Sequence, residues 1–157
     1  MTTSAPTAQA AEFLVMEDLV TIHAASSQTD GGFLAIEVTV APGGGPPPLH
    51  THAAHELFWT LSGELTYFRE EADGLVQISG GPGTSAFIPG GVPHTYRNFS
   101  AAPARYLAIL SPGGAMEDFL VEAGVSPDEE RRTPEEVLAI GERYGLVVLP
   151  VVPELRR

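Results

Sequence analysis

Two stretches decide how this chain is read: Gly44-GPPPL-His50-T-His52-AAH-Glu56-LFWTLS-Gly63 and Gly83-TSAFI-Pro89-G-Gly91-VP-His94-TYR-Asn98. Side chains two apart on a strand share a face, so His50 and His52 can point at one ion, and Glu56 keeps their parity at the start of the next strand. His94 arrives from a distant strand after Pro89-GGVP, whose glycines allow a sharp turn and whose Pro93 stiffens the approach. Imidazole nitrogen with carboxylate oxygen suits one divalent transition-metal ion: Fe, Mn, Co, Ni, Cu or Zn. With six-coordinate geometry, four protein ligands leave two adjacent positions for substrate and dioxygen. With tetrahedral zinc the site would be closed and structural. His55 has the opposite parity to Glu56 and turns away from the ion, as a surface residue or a neighbour of the ligands. His23 stands alone and is read as non-functional.

Outward from these stretches, the segments between glycines and prolines are short and alternate. Phe33-LAIEVT-Val40 puts Phe33, Ala35, Glu37 and Thr39 on one side and Leu34, Ile36, Val38 and Val40 on the other, which is strand periodicity. Glu56 to Ser62 and Glu64 to Phe68 read as two strands joined by a tight turn at Ser62-Gly63. Glu71-ADG-Leu75 is a second turn in which Gly74 can take positive φ. Leu75 to Ser79, Ser85 to Ile88, Thr95 to Phe99 and Tyr106 to Leu110 continue the series, and Phe13 to His23 adds one or two edge strands. Many short strands with glycine-rich turns predict an all-β antiparallel sandwich or barrel. After Ser111 the period changes. Ala115-MEDFLVEA-Gly124 places Met116, Phe119 and Leu120 at helical spacing. Thr133-PEE starts a second helix, with Thr133 as N-cap and Glu136 closing a capping box. Leu146 to Pro150 is a short final strand or extended tail. The expected organisation is a disordered tail over 1–12, a β-barrel over 13–112 and a C-terminal helical extension over 113–157 packed on it.

Composition narrows the chemistry. The chain has 157 residues, 43% hydrophobic and 18% charged, enough for one folded domain with one substantial core. A formal net charge of −12 opposes binding to nucleic acid. Its basic side chains are all arginine and scattered, so no basic stripe exists for anionic lipid. Without cysteine, disulfides, thiolate catalysis and thiolate metal ligation are excluded. The first dozen residues lack the charged and apolar regions of a signal peptide, and no apolar run reaches the ~20 residues of a membrane span. The expected location is the cytoplasm.

The paired stretches resemble the two cupin motifs. In the first, five residues separate Gly from His-x-His, three follow before Glu, and six before Gly. In the second, five separate Gly from Pro-x-Gly, two precede His and three precede Asn. Every one of those positions is matched here. The resemblance implies a cupin fold, a double-stranded β-helix or jelly-roll-like barrel, with His50, His52, Glu56 and His94 as ligands. The Gly45-PPP run, the spacing Glu56-x-Phe58-x-x-Leu61-x-Gly63, the Ser111-PGG helix start and the Tyr144-Gly145 ending further resemble single-domain quercetin 2,3-dioxygenase-like cupins, from about Gly32 to Pro150. In many relatives four residues separate the second histidine from the glutamate; here there are three, which bears on the tilt of the carboxylate.

If the ligands face inward, strand neighbours of equal parity line the same cavity. Phe58 and Thr60 follow Glu56, and Tyr96 and Asn98 follow His94, with Asn98 also expected beside the ligands. Phe33 and Tyr67 are expected as aromatic walls. Met116 and Phe119 either cap the mouth or pack the helix on the barrel. The nearby cation, Arg97, points outward by parity, so the expected substrate is aromatic or phenolic. The resemblance implies a dioxygenase of the quercetinase kind, an oxidoreductase in which Glu56 takes the proton of a flavonol hydroxyl and dioxygen at the metal cleaves the heterocycle. Two alternatives use the same ligands: non-redox isomerisation, decarboxylation or cyclisation of an aromatic metabolite, and non-catalytic small-molecule binding. Sheet edges that pair between subunits make a homodimer the expected assembly.

Overall fold

A computed structural model describes residues 2–3, 11–46, 48–150 and 155. The tail expected over 1–12 falls mostly outside them. Among the described residues eleven strands and two α-helices follow in order, with a short 3-10 helix at Ser26–Thr29 between the second and third strands: β1 Glu12–Val15, β2 Asp18–Ala24, β3 Leu34–Val40, β4 His50–Thr51, β5 His55–Ser62, β6 Leu65–Glu71, β7 Gly74–Gly80, β8 Ser85–Ile88, β9 His94–Arg97, β10 Ala104–Ser111, α1 Gly114–Ala123, α2 Pro134–Arg143 and β11 Val147–Val148. They form a six-stranded sheet, β1-β2-β3-β10-β5-β8, and a five-stranded sheet, β11-β4-β9-β6-β7. The ladders are antiparallel.

The alternation in the sequence becomes the two faces of each strand. Leu34, Ile36, Val38 and Val40 of β3 are buried, and β10 contributes Ala104, Tyr106, Ala108 and Leu110 to the same core. Leu65 and Tyr67 of β6 meet them from the other sheet. Burying an aliphatic or phenyl side chain of this size contributes about 1.5–3 kcal/mol over leaving it in water. Strand β6 is covered on its other face too, where Phe68 packs with Leu49 and Leu155.

Two connections differ from the sequence expectation. The turn at Ser62-Gly63 does not close a hairpin: β5 pairs with β10 and β8, while β6 pairs with β7 and β9. The chain crosses between sheets there, and Gly63 (φ 72°) is required because a Cβ would lie 2.7 Å from the Pro103 carbonyl oxygen. The C-terminal extension also does more than pack helices. Its strand β11 pairs with β4, opposite His50 and Thr51, so this late segment props the strand that carries the first histidine.

Helix α2 has the expected capping box: the Thr133 hydroxyl accepts from the Glu136 N–H at 3.2 Å and the Glu136 carboxylate accepts from the Thr133 N–H at 2.8 Å. Thr133→Ala will lower stability by about 1 kcal/mol, measurable as a lower urea midpoint with unchanged slope. Met116 and Phe119 of α1 are buried in the core cluster, and the Phe119 ring lies against Gly141 of α2. Of the two roles left open for these side chains, helix packing is the one their contacts describe.

Candidate metal centre

Strand β5 alternates without a break: Glu56, Phe58 and Thr60 are buried, while His55, Leu57, Trp59 and Leu61 are exposed. The inward parity puts the Glu56 carboxylate in the barrel. His50 lies on β4 in register with His94, the first residue of β9, and His52 follows β4 directly. The structure therefore brings together all four residues named from the spacing. The ring centroids are 4.6 Å apart for His50–His94 and 4.8 Å for His52–His94, and one nitrogen of each histidine lies within 4.8 Å of the others. Glu56 Oε2 is 3.0 Å from His52 Nε2 and 3.1 Å from His94 Nε2. With three residues between His52 and Glu56, the carboxylate still reaches both rings.

The other ring nitrogens say what the cluster is suited for. His52 Nδ1 is 3.0 Å from the Ala54 carbonyl oxygen, and His94 Nδ1 is 2.8 Å from that of Val92. A carbonyl only accepts, so both Nδ1 atoms donate, and a ring without a second proton then presents its Nε2 lone pair to Glu56. Lone pairs of two acceptors at that distance call for a positive charge at their meeting point, either a proton or a metal ion. Backbone carbonyls that fix the tautomer are the usual support of metal-binding histidines. Burial and the adjacent His94 push His50 down to about 3, keeping it neutral. Burial pushes the Glu56 carboxyl up, but with a proton at the meeting point the hydrogen bonds from His52 and His94 outweigh it and bring the group to about 2; a metal ion there would take the place of that proton. Three imidazoles around one ionised carboxylate fit a divalent transition metal.

His55 faces away from this cluster. Its Nδ1 accepts the Gly90 N–H at 2.8 Å, and the Gly91 N–H donates to the His52 carbonyl at 2.8 Å. These bonds dock the loop before β9 on the first histidine segment. Gly90 is needed for that approach, since a Cβ there would lie 2.2 Å from the Ala53 carbonyl oxygen. His55 thus bears on the position of His94 through a loop. His23 pairs with Glu37 on the outer surface.

The barrel beside the histidines is lined by rings. Phe58 is central: its centroid is 5.0 Å from Tyr67, 5.2 Å from Tyr106, 5.9 Å from Tyr96 and 6.2 Å from His94. The Thr60 and Tyr67 hydroxyls bond at 2.7 Å. Burial pushes Tyr67 up to about 12, and Tyr96 and Tyr106 well above the ordinary phenol range. All three therefore keep their protons near neutrality. Tyr96 donates to the Asp18 carboxylate, which burial raises from an ordinary 3.8 to about 6 against the lowering effect of that hydrogen bond.

Two expected residues lie elsewhere. Phe33 precedes β3 on its outward parity and is exposed, so it is not an interior wall. Asn98 is buried past the end of β9, where it donates to the Val40 and Ala102 carbonyls and accepts from Ser100. It pins the turn into β10 and makes no bond to the histidines. Asp18 and Tyr106 were not anticipated. The alternation Asp18, Val20, Ile22 carried a signal for Asp18, a carboxylate at an inward position. Tyr106 carried none beyond the parity of any core residue.

These features define a β-barrel with a histidine-carboxylate centre inside one end. Residues 36–110 match the family model described as Cupin domain. Two similar solved structures agree on the fold. A double-stranded β-helix protein from Klebsiella pneumoniae is 17% identical, with 62% of this chain and 79% of that one covered and a TM-score of 0.51. A variant of Bacillus subtilis oxalate decarboxylase is 17% identical with a TM-score of 0.58, covering 85% of this chain but 35% of the decarboxylase. The protein TT1209 from Thermus thermophilus is 30% identical over 53% of this chain and 75% of that one, with a TM-score of 0.47. A search of the curated proteins finds no match. Among the described residues no helix is long and apolar enough to cross a membrane.

Proposed function

We propose that this protein is a metal-dependent dioxygenase acting on a flavonol-like or other phenolic aromatic small molecule, with His50, His52, Glu56 and His94 holding one divalent transition-metal ion. The observation that carries the reading is the meeting of the His52 and His94 Nε2 atoms on Glu56 Oε2, beside a wall of Phe58, Tyr67, Tyr96 and Tyr106. When bound, the metal would supply a Lewis-acid centre for an ionised substrate hydroxyl and, if redox-active, a centre for oxygen activation. Glu56 is the base for that hydroxyl: its carboxylate is ionised, buried and aimed at the point the histidines share. The buried rings give the cluster an apolar, aromatic surround that excludes water and favours an aromatic substrate. The nearby Arg97 is held by the Gly43 and Gly45 carbonyls, which disfavours phosphates and dicarboxylates.

Asp18 favours a second reading, non-redox isomerisation, decarboxylation or cyclisation at the same centre. A carboxyl near 6 in contact with Tyr96 can exchange protons near neutral pH without oxygen. One experiment separates the two. The protein is loaded anaerobically with Fe, Mn, Co, Ni, Cu or Zn in turn and mixed with quercetin, before and after admitting oxygen. The dioxygenase reading expects loss of flavonol absorbance only with metal and oxygen together. Loss without oxygen would move the assignment to the second reading, and no loss with any metal would remove flavonols as substrates.

A further inference from the structure

Of the four residues at the centre, His50 is held least firmly by its surroundings. Nδ1 of His52 and of His94 reaches a carbonyl oxygen at 3.0 Å and 2.8 Å, whereas that of His50 is 3.5 Å from the Pro48 carbonyl, at the limit of a hydrogen bond. His52, Glu56 and His94 are buried, and His50 only partly. Its strand adds little. β4 has two residues and joins β9 through one pair, His50 with His94, too short a ladder to fix a strand by itself. The other flank is closed by the C-terminal extension. There β11 sets Val148 opposite His50 and Val147 opposite Thr51, and the Leu149 N–H donates to the Leu49 carbonyl at 2.8 Å. Leu49, next to His50, is covered by Leu155, Phe68 and Leu149. Leu49 and Leu155 are 4% and 0% exposed.

We propose that Leu149 and Leu155 are positioning residues for His50, so that docking of the C-terminal segment on β4 and binding of a metal ion at the centre strengthen one another. The inference rests on His50 being a metal ligand. A metal site tolerates about 0.2 Å in its ligand distances, and a strand unpaired along one side does not hold an imidazole to that. His52 and His94 keep their own backbone bonds when β11 leaves, so the loss falls on His50. In the other direction, a metal ion that pins the His50 ring orders β4, and β11 then docks on a strand already in place. Linkage makes the two effects equal in size. The dock is also the part of the sheet best placed to open, since β11 is an edge strand and Val147 is exposed by 53%.

Cobalt(II) titrated into the metal-free full chain, and followed by its visible absorption, tests this together with exchange of the Leu149 N–H measured by NMR. Leu149→Pro removes the N–H that the Leu49 carbonyl accepts, and Leu155→Asp places a charge where Leu49 and Phe68 surround the side chain. Each should bind cobalt at least about 10-fold more weakly, while Leu149→Ala, which keeps the N–H, should stay close to the wild type. In the wild type, cobalt should slow exchange of the Leu149 N–H by the same factor of about 10. It should slow the amides of β7, the opposite edge of the same sheet, by less. The exchange measurement needs no variant, so it decides the matter even where a substitution unfolds the chain. Unchanged cobalt affinity in Leu149→Pro, or a Leu149 N–H indifferent to cobalt, would overturn the proposal while leaving the metal centre in place. A wild type that binds no cobalt would remove the metal centre itself, and the proposal with it.

Discussion

His94→Ala will bind metal at least about 100-fold more weakly than the wild type, so the purified variant will carry little of it. His94 is 1% exposed and supplies one of the two Nε2 atoms that meet Glu56. Its ring cannot be replaced by a neighbour, because the Val92 carbonyl fixes its tautomer and the docked Gly90-Gly91 loop fixes its strand. Water in the vacated space would be a weaker and less oriented ligand. Elemental analysis of protein purified without a histidine tag measures the effect. His55→Ala is the control, since that ring faces away from the cluster and its loss should leave most of the metal in place. Glu56→Gln keeps the shape and removes the charge, so its metal content should fall between the two. Unchanged metal in His94→Ala would take this residue out of the ligand set, whatever the fold.

The site was legible because its members obey a period of two. Once His50, His52 and Glu56 share a parity, the same rule sends His55 outward and brings Phe58 and Thr60 inside, and β5 follows it residue by residue. The rule fails where a strand stops. Asn98 lies just after β9, so parity carried beyond the ladder misplaced it, whereas Phe33 keeps the outward parity of β3 and its expected place as a wall rested on its ring alone. Pairing is a different kind of information. The turn residues at Ser62-Gly63 announce a reversal but not that the chain leaves one sheet for the other. The β11–β4 ladder joins two-residue strands from opposite ends of the barrel segment and its extension, and nothing local in either announces its partner. Asp18 shows a third case. Its inward position could be read, but its significance lies in the Tyr96 hydroxyl, far away in sequence.

Asp18→Asn will stabilise the protein at pH 7 by about 2 kcal/mol, and the gain will vanish near pH 4. Burial raises this carboxyl from 3.8 to about 6, partly offset by the hydrogen bond from Tyr96; Glu17 raises it and Arg97 lowers it by smaller amounts. Below 3.8 the group is protonated whether the chain is folded or not, and it costs the fold nothing. Between 3.8 and 6 the unfolded chain loses the proton while the folded chain retains it, so stability falls as pH rises. Above 6 the penalty is complete. Asparagine keeps an acceptor for the Tyr96 hydroxyl and removes the charge, so the variant should lack this slope. Tyr96→Phe should extend it to higher pH, because the bond that lowers the folded carboxyl's pKa is gone. Urea denaturation of the three proteins between pH 4 and pH 8 decides the matter, and a constant difference between Asp18→Asn and wild type across that range would refute the assignment. A fold that keeps an ionised carboxylate here at such a cost does so beside the rings next to the candidate metal centre, and functional sites are where stability is commonly given up for chemistry. A stabilised Asp18→Asn protein with impaired turnover would place the carboxylate in the reaction; one with unchanged turnover would leave it a burden on the fold alone.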